Sequence, residues 1–164
     1  MNRQISPGLG ESLVAVMHFA DVSLAVPLAE VHSLASVLDL RANSGNGGAV
    51  LAEVDVDEQA LSVFAFDSEL ATLSALPDLY RVCVNLGAGY PELGILCQSI
   101  DMHEQAISAE ALPACMASKG SILTGLAVKG EEVLLCSNLA ALREYCCLAA
   151  LPADQRPNAH SERA

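Results

Sequence analysis

The sequence has few aromatic side chains and little positive charge. It contains no Trp, three Tyr and three Phe, so a platform for stacking bases or sugars is not expected. Eight Lys and Arg stand against 20 Asp and Glu, which gives a net charge of −12. Phosphate contacts need clustered cations, so this charge argues against nucleic acids and anionic membranes as partners. It is compatible with a basic patch on a protein partner.

Long apolar runs and a secretory signal are also lacking. Asp, Glu, Ser or Pro interrupts each apolar stretch well before the roughly 18 residues that a membrane-spanning helix needs. Met1–Glu11 contains one Arg and no apolar run of signal-peptide length. We therefore expect a cytoplasmic protein.

The six Cys show no Cys-x-x-Cys spacing, which would indicate a metal site or a redox motif. Cys83, Cys97 and Cys136 sit among apolar residues, which predicts reduced thiols packed in a core. The adjacent Cys146 and Cys147 are poorly placed to bridge each other. Because the four His lack zinc-finger spacing, metal binding is only the minor alternative, and no cofactor is expected.

Catalytic patterns are missing as well. There is no Gly-x-Ser-x-Gly, and no spacing groups Ser, His and Asp into a triad. The Gly-rich segment Gly45–Gly48 lacks the Lys and the following helix of a phosphate loop, and is interpreted as a flexible loop. His18 lies in a predicted strand with no paired acid in view and is interpreted as structural; His32 and His103 are expected on the surface or in loops. These absences favour a binding module over an enzyme.

What the chain does contain is short strands arranged in hairpins. Strands are predicted at Leu13–Phe19, Leu24–Pro27, Val50–Val56, Ala60–Phe66, Arg81–Leu86, Glu92–Ile100, Ile122–Val128 and Glu132–Cys136. Asn138 is predicted to cap a helix that runs to about Leu148. This pattern is typical of small β-barrels rather than of a parallel α/β sheet.

Three other segments are less regular. Leu28–Leu38 has apolar residues at helical spacing, but it could also continue as a strand through Val31. Ser68–Ser74 is a possible short helix with Ser68 as its N-cap. Arg41–Gly48 is predicted to be a loop.

An acidic stretch comprises Glu53, Asp55, Asp57 and Glu58. Alternation places the first three on the outward side of one strand. The stretch lacks the Asp-x-Asp-x-Asp-Gly pattern of a calcium loop, so we interpret it as a solvated strand face or hairpin tip. An acidic docking surface is the alternative.

A series of Gly-containing and aliphatic motifs resembles the CheW family, the chemotaxis coupling proteins. The matching segments are Phe19–Val31, Asn85–Gly87, Leu93–Ile100, Ile107–Pro113, Ile122–Leu126, Gly130–Leu135 and Asn138–Leu142. Each motif alone is weakly specific, but their order and spacing match the family over roughly Leu13–Tyr145.

The resemblance implies a mainly β fold of two intertwined five-stranded, SH3-like β-barrels with short helices and a C-terminal helix. The CheW-like domain would span 12–150, with a first barrel at about 12–76, a second at about 80–137, the helix at about 138–148, and a disordered tail at 151–164. It also implies a non-catalytic adaptor that docks the regulatory domain of a CheA-type histidine kinase, the cytoplasmic tip of chemoreceptors, or both.

One departure concerns the hairpin tip of the first barrel. Asp57 stands where the family has Arg, and Glu58 stands where it has Gly. Reversing a charge at a contact replaces attraction with repulsion. We therefore hypothesise a divergent adaptor, with altered or lost receptor coupling, that serves an accessory or pilus-linked chemosensory pathway.

Two alternatives stay open: an interaction module that has lost kinase and receptor coupling, and a small-molecule binder or enzyme using the cleft between the barrels. The candidate partner-binding residues lie on the first-barrel hairpin and along the groove. They are Val54, Val56, Asp57 and Glu58 on the hairpin, and Leu28, Glu30, Val31 and Ile95 along the groove.

Overall fold

The computed structural model describes residues 11–42, 49–103, 106–112, 114 and 121–151. These residues form strands, two single 3-10 turns (Leu28–Glu30 and Val37–Asp39) and one α-helix. The strands are β1 (Glu11–Ser12), β2 (Val14–Phe19), β3 (Val22–Pro27), β4 (Val31–Ser36), β5 (Arg41–Ala42), β6 (Ala52–Val56), β7 (Gln59–Ala65), β8 (Val82–Leu86), β9 (Leu93–Cys97), β10 (Ser99–Met102), β11 (Ile107–Ala111), β12 (Gly125–Lys129) and β13 (Glu132–Cys136), and the helix is α1 (Leu139–Ala150).

The strands form two curled sheets. The larger has the order β1-β11-β12-β13-β3-β2-β10, and the smaller has the order β4-β8-β9-β7-β6-β5. Only Leu13 separates β1, at one edge of the larger sheet, from β2 near its other edge, so the chain curls that sheet on itself. A 3-10 turn joins the two edge strands β4 and β5 of the smaller sheet in the same way. The predicted two-barrel, mainly β fold is confirmed, with seven and six strands among the described residues instead of five each.

The two sheets exchange strands along the chain. The first hairpin, β2–β3, lies in the sheet of the C-terminal strands β11–β13, which it joins through the parallel pair β3–β13. The later hairpin β8–β9 lies in the sheet of β4–β7, which it joins through the parallel pair β7–β9. Every residue of β9 is buried, as expected for a strand in the middle of a sheet with both faces covered. The sheets therefore do not coincide with the predicted halves at about 12–76 and 80–137.

Two predictions of helix need correction. Leu28–Leu38 is mainly strand β4, flanked by 3-10 turns, because β4 pairs with β8 at the edge of the smaller sheet. Ser68–Ser74 is not a helix: the Asp67 carboxylate accepts hydrogen bonds from the backbone of Glu69 and Ala71, and Leu70 has φ 61°.

Two further corrections concern strand ends. The predicted loop at Arg41–Gly48 begins with β5, which pairs with β6, and its remainder, 43–48, lies outside the described residues. The predicted strand Glu92–Ile100 is divided at Gln98 into β9 and β10, which lie in different sheets.

One core cluster joins the two sheets and the helix. Phe19 of β2 packs edge-to-face on Phe66, just after β7, and on Tyr80, with ring centroids 5.6 and 6.2 Å apart. Tyr145 of α1 packs on the same Phe66 ring. The buried Tyr80 hydroxyl donates to the Phe66 carbonyl at 2.6 Å. These contacts make the two barrels one packed unit.

The predicted helix and the predicted buried thiols are confirmed. The Asn138 side chain accepts from the Ala141 backbone at 2.8 Å, and α1 continues to Ala150, two residues beyond the predicted end. Four described thiols are free and buried, and one is exposed: Cys83, Cys97, Cys136 and Cys146 are buried, and Cys147 is exposed. Burial raises the pKa of the Cys83, Cys97 and Cys146 thiols to about 12. Cys115 and residues 152–164 of the predicted disordered tail lie outside the described residues.

Candidate interaction surfaces

The segment predicted to line a groove lies between β3 and β4. Leu28, Glu30 and Val31 are half-buried there. The Glu30 carboxylate accepts a hydrogen bond from the Leu139 backbone N–H at 2.7 Å, across 109 residues of chain. Glu30 thus stabilises the N-terminus of α1, where unpaired N–H groups and the helix dipole favour a negative charge.

A small pocket of about 150 Å³ opens beside Glu30. Pro27 and Ile107 line its apolar side, and Thr124 and Asn138 lie on its polar side. It therefore lies between the 3-10 turn, the strands of the larger sheet and the start of α1. Glu30 is the one predicted groove residue that borders it.

The predicted hairpin tip is the two-residue turn between β6 and β7. Asp57 and Glu58 are exposed, with φ 49° and 65°, the left-handed values that a tight hairpin turn requires. His32 of β4 approaches the Asp57 carboxylate with Nε2 at 2.8 Å. His32 is thus half-buried and paired rather than free on the surface, and it fixes the tip against the edge of the same sheet.

The outward carboxylates of β6 are paired with a cation. Arg41 of β5 bridges Glu53, at 3.1 Å, and Asp55. Hydrogen bonds to Glu53, and then to Asp55, raise the pKa of the Arg41 guanidinium. In the described part of the chain, no three His, Cys, Asp or Glu side chains are placed to hold a metal ion. The arrangement fits a partly neutralised, solvated strand face.

Two of the predicted contact residues are core residues. Val54 is 2% exposed and Ile95 is fully buried. Their side chains point into the cluster that joins the two sheets, so they cannot touch a partner while the protein is folded. Val56, beside the hairpin tip, is half-buried and packs against the same cluster.

Exposed apolar side chains form two surfaces that the sequence did not reveal. On the smaller sheet, Leu38 is 89% exposed, Leu79 is 67% exposed, and Leu34 of β4 is half-exposed. A hydrogen bond from the Val37 N–H to the Arg81 carbonyl joins the segments that carry Leu38 and Leu79. We call Leu34, Leu38 and Leu79 the β4 surface. In the sequence, Leu34 and Leu38 contribute to the helical spacing of Leu28–Leu38, which does not show that they are exposed.

The second surface lies on the larger sheet. Val128 of β12 and Val133 of β13 are directly opposed across the hairpin and are 71% and 60% exposed. We call this pair the β12–β13 tip. The apolar surface of an exposed cross-strand valine pair is removed from water only when a partner molecule packs on it.

A groove of about 690 Å³ runs between β7 and α1. Leu61 and Phe64 line one side and Cys146 the other, and an Arg143–Glu92 ion pair of 2.6 Å lies at its margin. The Cys146 thiol, with a pKa of about 12, stays neutral near pH 7 and offers no acid–base chemistry there.

His18 has the acidic neighbour that the sequence did not show. Its Nδ1 lies 2.7 Å from Ser23 Oγ of β3, and its Nε2 lies 2.6 Å from Asp101 Oδ2 of β10. Asp101 is 83 residues away in the chain, so no local spacing could have revealed it. The three side chains border a recess of about 760 Å³.

These strands, surfaces and paired side chains form a two-barrel fold with exposed apolar side chains on both sheets. No family model matches the chain, and a sequence search of curated proteins found no match. Among solved structures, the chain is similar to the crystal structure of the scaffolding protein TtCheW from Thermoanaerobacter tengcongensis. The TM-score is 0.60 at 11% identity, over 79% of this chain and 90% of that chain. The chain thus has the CheW-like fold that the sequence resemblance implies.

No helix in the described ranges is both long and apolar enough to cross a membrane.

Proposed function

We propose that the protein is a chemosensory scaffold that acts in the cytoplasm by docking other proteins and not by catalysis. The observation that carries the proposal is the CheW-like pair of barrels with an exposed apolar surface on each sheet. A protein that holds two partners together needs two separate surfaces. The β4 surface and the β12–β13 tip provide them, on different sheets of one packed unit.

Each surface can supply useful binding energy. Covering an exposed Leu or Val side chain contributes about 1.5–3 kcal/mol when burial is complete. Because every 1.4 kcal/mol changes affinity tenfold, removing one such side chain is expected to weaken docking about tenfold. The net charge of −12 favours partners that present basic residues around the apolar contact.

The partners we propose are the regulatory domain of a CheA-type histidine kinase and, with altered affinity, the cytoplasmic tip of a chemoreceptor. Such docking would hold kinase and receptor in one array, in an accessory or pilus-linked pathway. The alternative is an interaction module of the same fold that binds a different regulatory protein.

Co-elution with the kinase regulatory domain tests the proposal. The two proteins are mixed at tens of micromolar and separated by size-exclusion chromatography with light scattering. A complex near equal stoichiometry supports the adaptor function. One of the variants Leu38→Ser and Val128→Ser, the one on the surface that binds the kinase, should weaken the complex about tenfold. Met102→Ser, at a half-exposed site outside both surfaces, should not weaken it. Clean separation of the wild-type proteins contradicts kinase docking and favours the alternative.

The hairpin tip is tested separately with Asp57. Asp57→Arg replaces the carboxylate beside His32 with a guanidinium and introduces the charge that the family has at this position. Asp57→Asn is the matched control, because Asn tolerates the left-handed conformation and keeps the side-chain size. If Asp57→Arg changes no partner's affinity relative to Asp57→Asn, the tip has no binding role.

A further inference from the structure

We propose that Ser23 is a base-activated nucleophile, with His18 as its general base and Asp101 as the group that positions the imidazole, and that it accepts acyl groups from small neutral esters. This goes beyond the proposed function, because docking requires no reactive side chain. The inference rests on three side chains from three neighbouring strands and on the recess in front of them.

The sheet register brings these side chains together. His18 and Ser23 are directly opposed in the β2–β3 pairing. The His18 carbonyl accepts from the Gln98 N–H, so its backbone groups face β10 and not β3. The His18–Ser23 pair is therefore a non-hydrogen-bonded pair, in which opposed side chains approach most closely. β10 pairs with the other side of β2 and supplies Asp101.

The hydrogen bonds determine the roles. A carboxylate only accepts hydrogen bonds, so His18 Nε2 carries the proton that it donates to Asp101 at 2.6 Å. In the neutral imidazole, Nδ1 is then an acceptor, and the Ser23 hydroxyl donates a hydrogen bond to it, with Oγ 2.7 Å from Nδ1. This is the hydrogen-bond order by which a triad activates serine, with the two ring nitrogens exchanged.

The recess determines which acyl donors can approach. At about 760 Å³ it has room for a small ester beside Ser23. Asp21, Asp101 and Glu132 border it, together with the imidazoles of His18 and His103. Because these carboxylates repel anions, neutral donors are favoured over anionic ones.

The covalent step uses no group from outside the site except the ester. In an aryl ester, the Ser23 oxygen bonds to the acyl carbon. The bond between that carbon and the phenol oxygen breaks. The Ser23 proton passes to His18 Nδ1 and then to the departing phenolate. The products are acyl-Ser23 and a free phenol.

The experiment treats the full chain with p-nitrophenyl acetate and locates the acetyl group by peptide mass spectrometry. We expect acetylation of Ser23 that is lost in Ser23→Ala and kept in Ser62→Ala, a matched change of an exposed strand serine. His18→Ala should slow acetylation of Ser23 about a hundredfold. Added imidazole should restore part of the rate in that variant, which a purely structural role of His18 would not allow.

Asp101 is tested as a positioning residue. Asp101→Asn removes the charge that favours the reactive tautomer and should slow acetylation, and Asp101→Glu should restore it in part. Circular dichroism of each variant confirms folding, and His18→Gln replaces His18→Ala if the latter is unfolded. Acetylation at other residues only, or a Ser23 rate that is unchanged in folded His18 variants, overturns the proposal.

Discussion

The hydrogen bond from the Leu139 backbone to the Glu30 carboxylate allows the clearest quantitative test of the structure. Glu30→Ala removes a charged acceptor that is part-buried and 2.7 Å from the first N–H of α1. A hydrogen bond to a charged group contributes about 1.5–3 kcal/mol. The lost charge at the helix N-terminus adds about 0.3–1 kcal/mol. We expect Glu30→Ala to lower the free energy of unfolding by about 2–4 kcal/mol.

Glu30→Gln separates the two contributions. Its amide oxygen can still accept from Leu139, so only the charge-dependent part is lost and the expected cost is about 1 kcal/mol. The assay is urea unfolding followed by circular dichroism, with the slope compared between variants. Glu144→Gln, on the exposed side of the same helix, is the matched control and should change stability by less than about 0.5 kcal/mol.

A loss of stability in Glu30→Ala that is no larger than the loss in Glu144→Gln contradicts this hydrogen bond. In that case the contact between the β3–β4 turn and the helix is not maintained in solution. Amide hydrogen exchange at Leu139 gives an independent check, since losing the acceptor should speed exchange at that amide.

Three further predictions follow from the core and the turns. Tyr80→Phe leaves the buried Phe66 carbonyl without its donor and should cost about 1–3 kcal/mol in urea unfolding; an unchanged midpoint would contradict the contact. Gly87→Ala should be strongly destabilising, because its Cβ would overlap the Tyr90 backbone, whereas a neutral result would show that this turn differs in solution. The free energy of unfolding should fall between about pH 9 and about 12. In this range the buried thiols, with a pKa of about 12, stay protonated in the folded protein. The thiols of the unfolded chain, with the ordinary pKa of 9.0, ionise, and this favours unfolding. Urea unfolding across that range tests this: Cys146→Ala should show a smaller fall than wild type, and an equal fall would contradict the assignment.

Much of the secondary structure could be predicted from local pattern. The hairpins β2–β3, β6–β7 and β12–β13 follow from alternating or apolar runs separated by short polar turns. The α1 helix follows from its Asn138 cap. Its buried residues Leu139, Leu142 and Cys146 recur at three- and four-residue spacing. In each case the decisive interactions lie within a few residues of one another.

Leu28–Leu38 shows where local pattern was insufficient. Apolar residues at helical spacing suggested a helix, yet pairing with β8 holds the segment as strand β4. Leu34 and Leu38 are exposed, and Leu28 is half-buried. β4 is an edge strand, a position that depends on partners far away in the chain. Val54 and Ile95 were predicted as partner contacts, but both are core residues. Their burial depends on packing between the two sheets, which local pattern does not show.

Local pattern is enough to predict the hairpins, the capped helix, the buried thiols and the resemblance to CheW, because these depend on neighbouring residues or on the order of motifs. Long-range packing sets which sheet each hairpin joins, how the sheets close, and which apolar side chains remain exposed. It also brought Glu30 to Leu139 and His18 to Asp101, across 109 and 83 residues. Those contacts arise from strand pairing and packing between distant segments, and a one-dimensional pattern does not contain that information.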